Sequence, residues 1–241
     1  EAIRLHTGYN FFSREYDYLY SNKGLDIDNS RTFVSYPDNN VVKVSIIKPI
    51  SLKAPYPTIV YYHGGGMTQS SAFGNQYQRW FKTLARQNVC VIGVDFRNAG
   101  FPDPANISNP VAPFPAGLND CYSGLKWVYD NAAELNVDRK RILIAGESGG
   151  GNLSIATALK AKEENSLFML SSGIYCMCPY IAGTWSGRET WSDRLGISHK
   201  ENHGLLLKIP IHDDAQYIFG QKMYCGEIKT NWVNPKAWPG Y

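Results

Sequence analysis

Gly146-Glu147-Ser148-Gly149-Gly150 constrains this chain more than any other feature. The five residues follow an apolar run, Arg141-Ile142-Leu143-Ile144-Ala145, and open a helical pattern. In that setting G-x-S-x-G is a strained strand-to-helix turn that lifts a serine hydroxyl clear of a sheet. Small flanking residues are required there, because the serine takes unfavourable dihedrals and bulkier neighbours would strike adjacent strands. A glycine-rich turn with Ser148 as a mere helix cap is the competing reading. A second stretch, His63-Gly64-Gly65-Gly66, weighs against it. It too follows an apolar run, and its bare amides can approach an oxygen that develops negative charge. Together the two stretches supply two of the three parts of an acyl-transfer site.

Around them the chain alternates strand and helix patterns. Arg31 to Tyr36 and Val41 to Lys48 read as an antiparallel pair around Pro37-Asp38-Asn39-Asn40. Thr58 to Tyr62, Val89 to Val94, Arg141 to Ala145 and Ser172 to Met177 are runs of the kind expected for strands buried on both faces. Tyr77, Trp80, Phe81, Leu84 and Ala85 repeat at helical spacing, as do Cys121, Leu125, Val128, Ala132 and Leu135. A third helix should start at the serine turn, burying Leu153, Ile155, Ala156 and Leu159 and sending Lys160 to Glu164 into water. The pattern predicts an α/β fold: a mostly parallel sheet with helices on both faces. Functional residues then collect at the carboxyl ends of the strands, so both glycine-rich loops should open on one edge.

Two regions break the rhythm. Residues 1–25 are crowded with aromatics, and residues 180–235 are rich in Gly, Trp, His and Asp. Both are expected to form cap segments over the active-site edge. That leaves a core over residues 26–179 and a return toward it over 236–241. The aromatics lean toward an apolar substrate group.

With 241 residues, 44% of them hydrophobic and 19% charged, the chain has material for one large globular domain. A net charge of +3 without a basic run offers nothing to nucleic acid. The apolar runs are strand-sized, so no membrane span is expected. No leader pattern opens the sequence at Glu1. Five cysteines make an odd set, better suited to a reducing, cytoplasmic setting than to a disulfide framework. Cys90 and Cys176 are expected as small buried hydrophobes. Cys176-Met177-Cys178 lacks partners for zinc, so no metal is expected there. Asn106-Ile107-Ser108 is a glycosylation sequon of the kind common by chance.

Ser148 is the candidate nucleophile. The amides of Gly149, at a helix start, and of Gly65 and Gly66 are the candidate oxyanion donors. His63 is read as a brace for its own loop, through a ring-to-backbone hydrogen bond, rather than as the general base.

Several segments together resemble the hormone-sensitive-lipase family of α/β-hydrolases. They are His63 to Gly66, Val94-Asp95-Phe96-Arg97, Pro113 to Gly117 with Asp120-Cys121, and Gly146 to Asn152, in the family's order. The resemblance implies the α/β-hydrolase fold with a helical cap, and hydrolysis of a carboxylic ester without a cofactor; the aromatics of the expected cap make a small or medium apolar ester the expected substrate. It implies Ser148 as nucleophile and Gly65, Gly66 and Gly149 as oxyanion donors. Glu147 stands where the family more often has aspartate, and the Gly100–Val111 stretch is longer than the family's loop. The acidic and histidine members of the family's triad would follow Trp238-Pro239, beyond Tyr241, together with the last strands. Asp193, His199, His203, Asp213 and Asp214 have a permissible order but fall in the expected cap. If the chain ended at Tyr241, Ser172 to Met177 would form a bare apolar edge, which soluble proteins avoid. More chain, or a homodimer partner, would cover it. The alternative function is a small-ligand-binding protein on the same scaffold that lacks a base.

Overall fold

The structure, a computed structural model, describes residues 21–101, 109–181 and 222–240. Its strands are β1 (Leu25–Asp28), β2 (Thr32–Ser35), β3 (Asn40–Pro49), β4 (Tyr56–Tyr62), β5 (Cys90–Val94), β6 (Val137–Glu147) and β7 (Ile174–Met177). They form one sheet in the order β1-β3-β5-β4-β6-β7, with β2 also paired to β3. The opening strands run antiparallel, with Val34 opposite Val41 in the β2–β3 hairpin. From β5 through β4 and β6 to β7 every pairing is parallel.

The period of two within each strand sorts side chains onto two cores. Val60 and Tyr62 of β4, Ile92 and Val94 of β5, and Ile142 and Ile144 of β6 share one cluster. Tyr61, Val91 and Ala145, their neighbours in sequence, face the other way into a second. Helix α1 (Asn75–Ala85) covers the second cluster with Tyr77, Phe81 and Ala85. Helices α2 (Ala116–Asp130), α3 (Ala132–Leu135) and α4 (Gly149–Glu163) contribute to the first. Each fully buried apolar side chain here contributes on the order of 1.5–3 kcal/mol relative to exposure. Residues 222–240 add Tyr224, Cys225, Ala237 and Trp238 to the first cluster. Apart from residues 21–25, 180–181 and 222–235, the stretches expected as caps lie outside the described residues, as does most of the Gly100–Val111 insert with its sequon.

Several expectations need correction. Leu25 begins a strand, although residues 1–25 carry no evident strand pattern. Its apolar–acidic alternation, Leu25-Asp26-Ile27-Asp28, is too short to stand out. Trp80 is 38% exposed, because it lies at the margin of the α1 face set by Tyr77, Phe81 and Ala85. The set from Cys121 to Leu135 is buried but split, since the helix breaks at Asn131 before α3. Helix α4 buries Leu153, Ala156 and Ala161, while Ile155 and Leu159, four residues apart on another flank, are only half-buried. Lys160 is also half-buried and donates to Asn119 Oδ1 at 2.5 Å. β7 is not buried on both faces. It pairs only with β6 among the described residues, Ile174 and Tyr175 are exposed, and Cys176 is half-buried.

β5 lies on one side of β4 and β6 on the other. The chain therefore reverses its winding direction at β4, and the crevice beyond the carboxyl ends of β4 and β6 is where such sheets bind ligands. His63–Gly66 leaves β4 at that edge, and Ser148 leaves β6 there.

Candidate active site

Ser148 lies between β6 and α4 at φ 53° and ψ −116°. A non-glycine residue at positive φ costs on the order of 1–3 kcal/mol and persists only where its surroundings over-determine it. The surroundings are visible. The Ser148 amide donates to the Met177 carbonyl at 2.9 Å, and its carbonyl accepts from Tyr180 N at 2.8 Å and Asn152 N at 3.1 Å. Its side chain makes no capping hydrogen bond to α4, which removes the helix-cap reading. Ser148 is half-buried, and its hydroxyl makes no hydrogen bond to another described residue.

The flanking glycines are set by close approach. A methyl group on Gly150 would lie 2.0 Å from the Tyr62 carbonyl oxygen, so no side chain fits where α4 crosses the end of β4. One on Gly149 would lie 2.8 Å from the Gly66 amide nitrogen and 2.7 Å from that of Met67. The two glycine-rich stretches thus meet beside Ser148. Gly65 sits at φ 111°, where L side chains are strained, and its carbonyl accepts from the amides of Thr68 and Gln69 at 3.1 and 3.2 Å. The amides of Gly65, Gly66 and Gly149 donate to no acceptor among the described residues. Gly65 and Gly66 are half-buried and Gly149 is buried as the first residue of α4, the helix end whose dipole favours negative charge. Met67, also at positive φ, presents a further amide that the sequence pattern did not single out.

His63 is fully buried, stacks on Phe96 with ring centroids 4.1 Å apart, and lies with Nδ1 2.8 Å from the Gly64 carbonyl. A carbonyl only accepts, so Nδ1 carries the proton. His63 therefore braces its own loop, as its place in the sequence suggested. The other four of the five histidines lie outside the described residues, as do Asp193, Asp213 and Asp214.

The structure adds residues that sequence patterns did not single out as part of the site. Glu147 accepts from the Gly64 amide at 2.9 Å and the Tyr77 hydroxyl at 2.5 Å through Oε1, and from the Tyr61 hydroxyl through Oε2. Burial pushes both phenols well above their ordinary range, and the Glu147 carboxylate adds to the shift. Both stay protonated donors. Asn152 donates to the carbonyls of Tyr180 and Ala237 at 2.8 and 2.9 Å, holding the chain on either side of residues 182–221 against α4. Asn152 and Glu147 stand inside the motif that drew notice, but Tyr61 and Tyr77 read only as core aromatics. On the neighbouring loop, Asp95 accepts from Ser71 Oγ at 2.8 Å and Ala72 N at 2.9 Å.

No group of three or more His, Cys, Asp or Glu side chains among the described residues could hold a metal ion. No described helix is long and apolar enough to cross a membrane. All five cysteines are free thiols, with burial pushing Cys90 up to about 12 and Cys225 up to about 11.

Comparison with known proteins agrees with this architecture. Esterase Est22 superposes with a TM-score of 0.75 at 39% identity, covering 100% of this chain and 65% of that one. Brefeldin A esterase, a bacterial homologue of human hormone-sensitive lipase, superposes with a TM-score of 0.72 at 27% identity, over 90% of this chain and 55% of that one. Carboxylesterase NlhH of Mycobacterium tuberculosis is 34% identical over 130 residues, 54% of this chain and 37% of the relative. The chain thus spans about two thirds or less of each of these proteins. Residues 59–239, from β4 to the segment that Asn152 anchors, match the family described as alpha/beta hydrolase fold. On that match, and on the meeting of its two glycine-rich stretches at the switch point of the sheet, the chain belongs to the α/β-hydrolase fold family, in its hormone-sensitive-lipase branch.

Proposed function

We propose that this chain carries the nucleophile and the oxyanion donors of a serine carboxylic-ester hydrolase. The observation that carries the reading is Ser148 itself, held at positive φ with its hydroxyl uncommitted, beside the unengaged amides of Gly65, Gly66 and Gly149. Ser148 Oγ forms a bond to the ester carbonyl carbon and passes its proton to a histidine paired with a carboxylate, groups outside the described residues. The carbonyl oxygen gains the electron pair and is held by the glycine amides. Collapse breaks the bond to the alcohol, which leaves with the proton. Water then releases the acid from the acyl-serine by the same steps. A carboxylic ester fits the esterase names of the relatives, and a small or medium apolar one fits the aromatic-rich stretch before β1. The uniformly free thiols suit a reducing, cytoplasmic compartment.

The test is hydrolysis of p-nitrophenyl esters of increasing acyl length by the full-length protein and by Ser148→Ala. Turnover that falls to background in Ser148→Ala, at unchanged melting temperature, supports the reading. Full activity in that variant would refute it. Tight ester or product binding with no turnover in the wild type would favour a binding protein on the same scaffold.

A further inference from the structure

We propose that Glu147 is a positioning residue that sets the amides of Gly65 and Gly66 in register with Ser148, using Tyr77 and Tyr61 to hold its carboxylate. The proposal rests on Ser148 as nucleophile and those amides as oxyanion donors. Glu147 is covalently joined to Ser148, and its Oε1 takes the amide of Gly64, the residue joined to Gly65. One side chain therefore spans the two halves of the site, each attached a single residue from the groups that would act. The Tyr77 hydroxyl closes the contact: it donates to Oε1 at 2.5 Å and accepts from the same Gly64 amide at 2.8 Å. Tyr61, from β4, supplies a donor to Oε2.

Three donors converging on one half-buried carboxylate make charge-assisted hydrogen bonds, roughly twice as strong as neutral ones. There is little slack in this arrangement. A methyl group on Gly64 would stand 2.8 Å from Oε1 and 3.1 Å from the Tyr77 oxygen. Tyr61 and Tyr77 are themselves packed with Phe81, at ring-centroid distances of 5.2 and 6.2 Å. The carboxylate is thus fixed from β4 and α1, while the loop it holds needs only a small shift to lose alignment. Displacement of a reacting group by 1 Å can cost about 10²-fold in rate, so the effect of such a brace falls on the chemical step.

The experiment measures kcat and KM separately on a p-nitrophenyl ester for full-length wild type, Glu147→Gln, Glu147→Ala, Tyr77→Phe and Ser148→Ala. Melting temperatures accompany each. Glu147→Gln keeps length and an acceptor oxygen but loses the charge, and kcat should fall roughly 10-fold, against about 10²-fold for Glu147→Ala. KM should stay within about a factor of three, the signature of an interaction used in the transition state. Affinity for a trifluoromethyl ketone, which gives a tetrahedral oxyanion on the serine, should fall by the same factor as kcat/KM. Affinity for the planar methyl ketone should hold. Tyr77→Phe removes one hydroxyl, keeps the ring, and should show the same split at smaller size, so it carries the test should a carboxylate variant fail to fold. Wild-type kcat in Glu147→Ala or Tyr77→Phe, with Ser148→Ala inactive, overturns the brace and leaves the catalytic reading standing. Equal losses for both ketones also overturn it. An active Ser148→Ala would remove both together.

Discussion

Ser148 shows how a single residue can be held against its own preference. Its backbone angles suit glycine, yet three main-chain hydrogen bonds keep it there. Replacing it should therefore separate stability from activity. Ser148→Gly removes the Cβ that makes the angles costly, while Ser148→Ala keeps it. Glycine gives back part of that gain through greater freedom in the unfolded chain. The net expectation is that Ser148→Gly is more stable than Ser148→Ala by about 1 kcal/mol, with both inactive. Chemical denaturation of the pair checks this, and a more stable Ala variant would contradict it. At this scale much of the candidate site was legible. The spacing of Gly146, Ser148 and Gly150 follows from where side chains are forbidden, and so does the glycine run after β4. Tyr61 and Tyr77 were not legible. A buried tyrosine in a strand or helix pattern looks the same whether or not its hydroxyl meets a carboxylate.

Among the elements, the β2–β3 hairpin turn is tied to the sheet by charge. Arg97, 5% exposed, donates to both oxygens of Asp120 on α2, at 2.9 and 2.8 Å, and also to Asp38 in the turn. The Arg97 hydrogen bonds hold the Asp38 carboxyl below its ordinary range, against an opposing effect of burial. A carboxyl whose native pKa is depressed adds stability at pH values above its unfolded pKa. That stability is lost as pH falls through the native value. Asp38→Asn should thus be less stable than wild type at pH 7, and the gap should close below about pH 4. Thermal melts across that range decide it, and a gap that widens on acidification would contradict the account. The hairpin itself was readable from Pro37-Asp38-Asn39-Asn40, but its anchor was not. Asp38 and Arg97 are far apart in sequence, and only the sheet brings them together. β1 escaped notice for a related reason, since four residues gain strand identity only by pairing with β3.

For the whole molecule, the sheet's switch point is what places both glycine-rich stretches on one edge. The strand–helix alternation was enough to anticipate it. The integration of residues 222–240 into the main core was less visible, because it depends on Trp238. That side chain is fully buried and packs edge-on to Tyr180 and Tyr224, at 5.3 and 5.4 Å. Trp238→Ala should cost about 3–5 kcal/mol through the lost burial and the cavity left behind. An unfolding free energy, from denaturant melts, that falls by less than a fifth of that would mean the segment is peripheral. β7 marks the opposite case. Its apolar run promised burial, which requires a neighbour on its far side. None lies among the described residues, so Ile174 and Tyr175 are exposed.

A nucleophilic Ser148 takes up the acyl group of the ester before water releases it. The most direct measurement is to mix the full-length protein with a p-nitrophenyl ester, quench in acid within the first turnover, and map the added mass by peptide mass spectrometry. One acyl group is expected on the peptide containing Ser148, and none in Ser148→Ala. Turnover without an adduct, or an adduct on another residue that survives in Ser148→Ala, would contradict it.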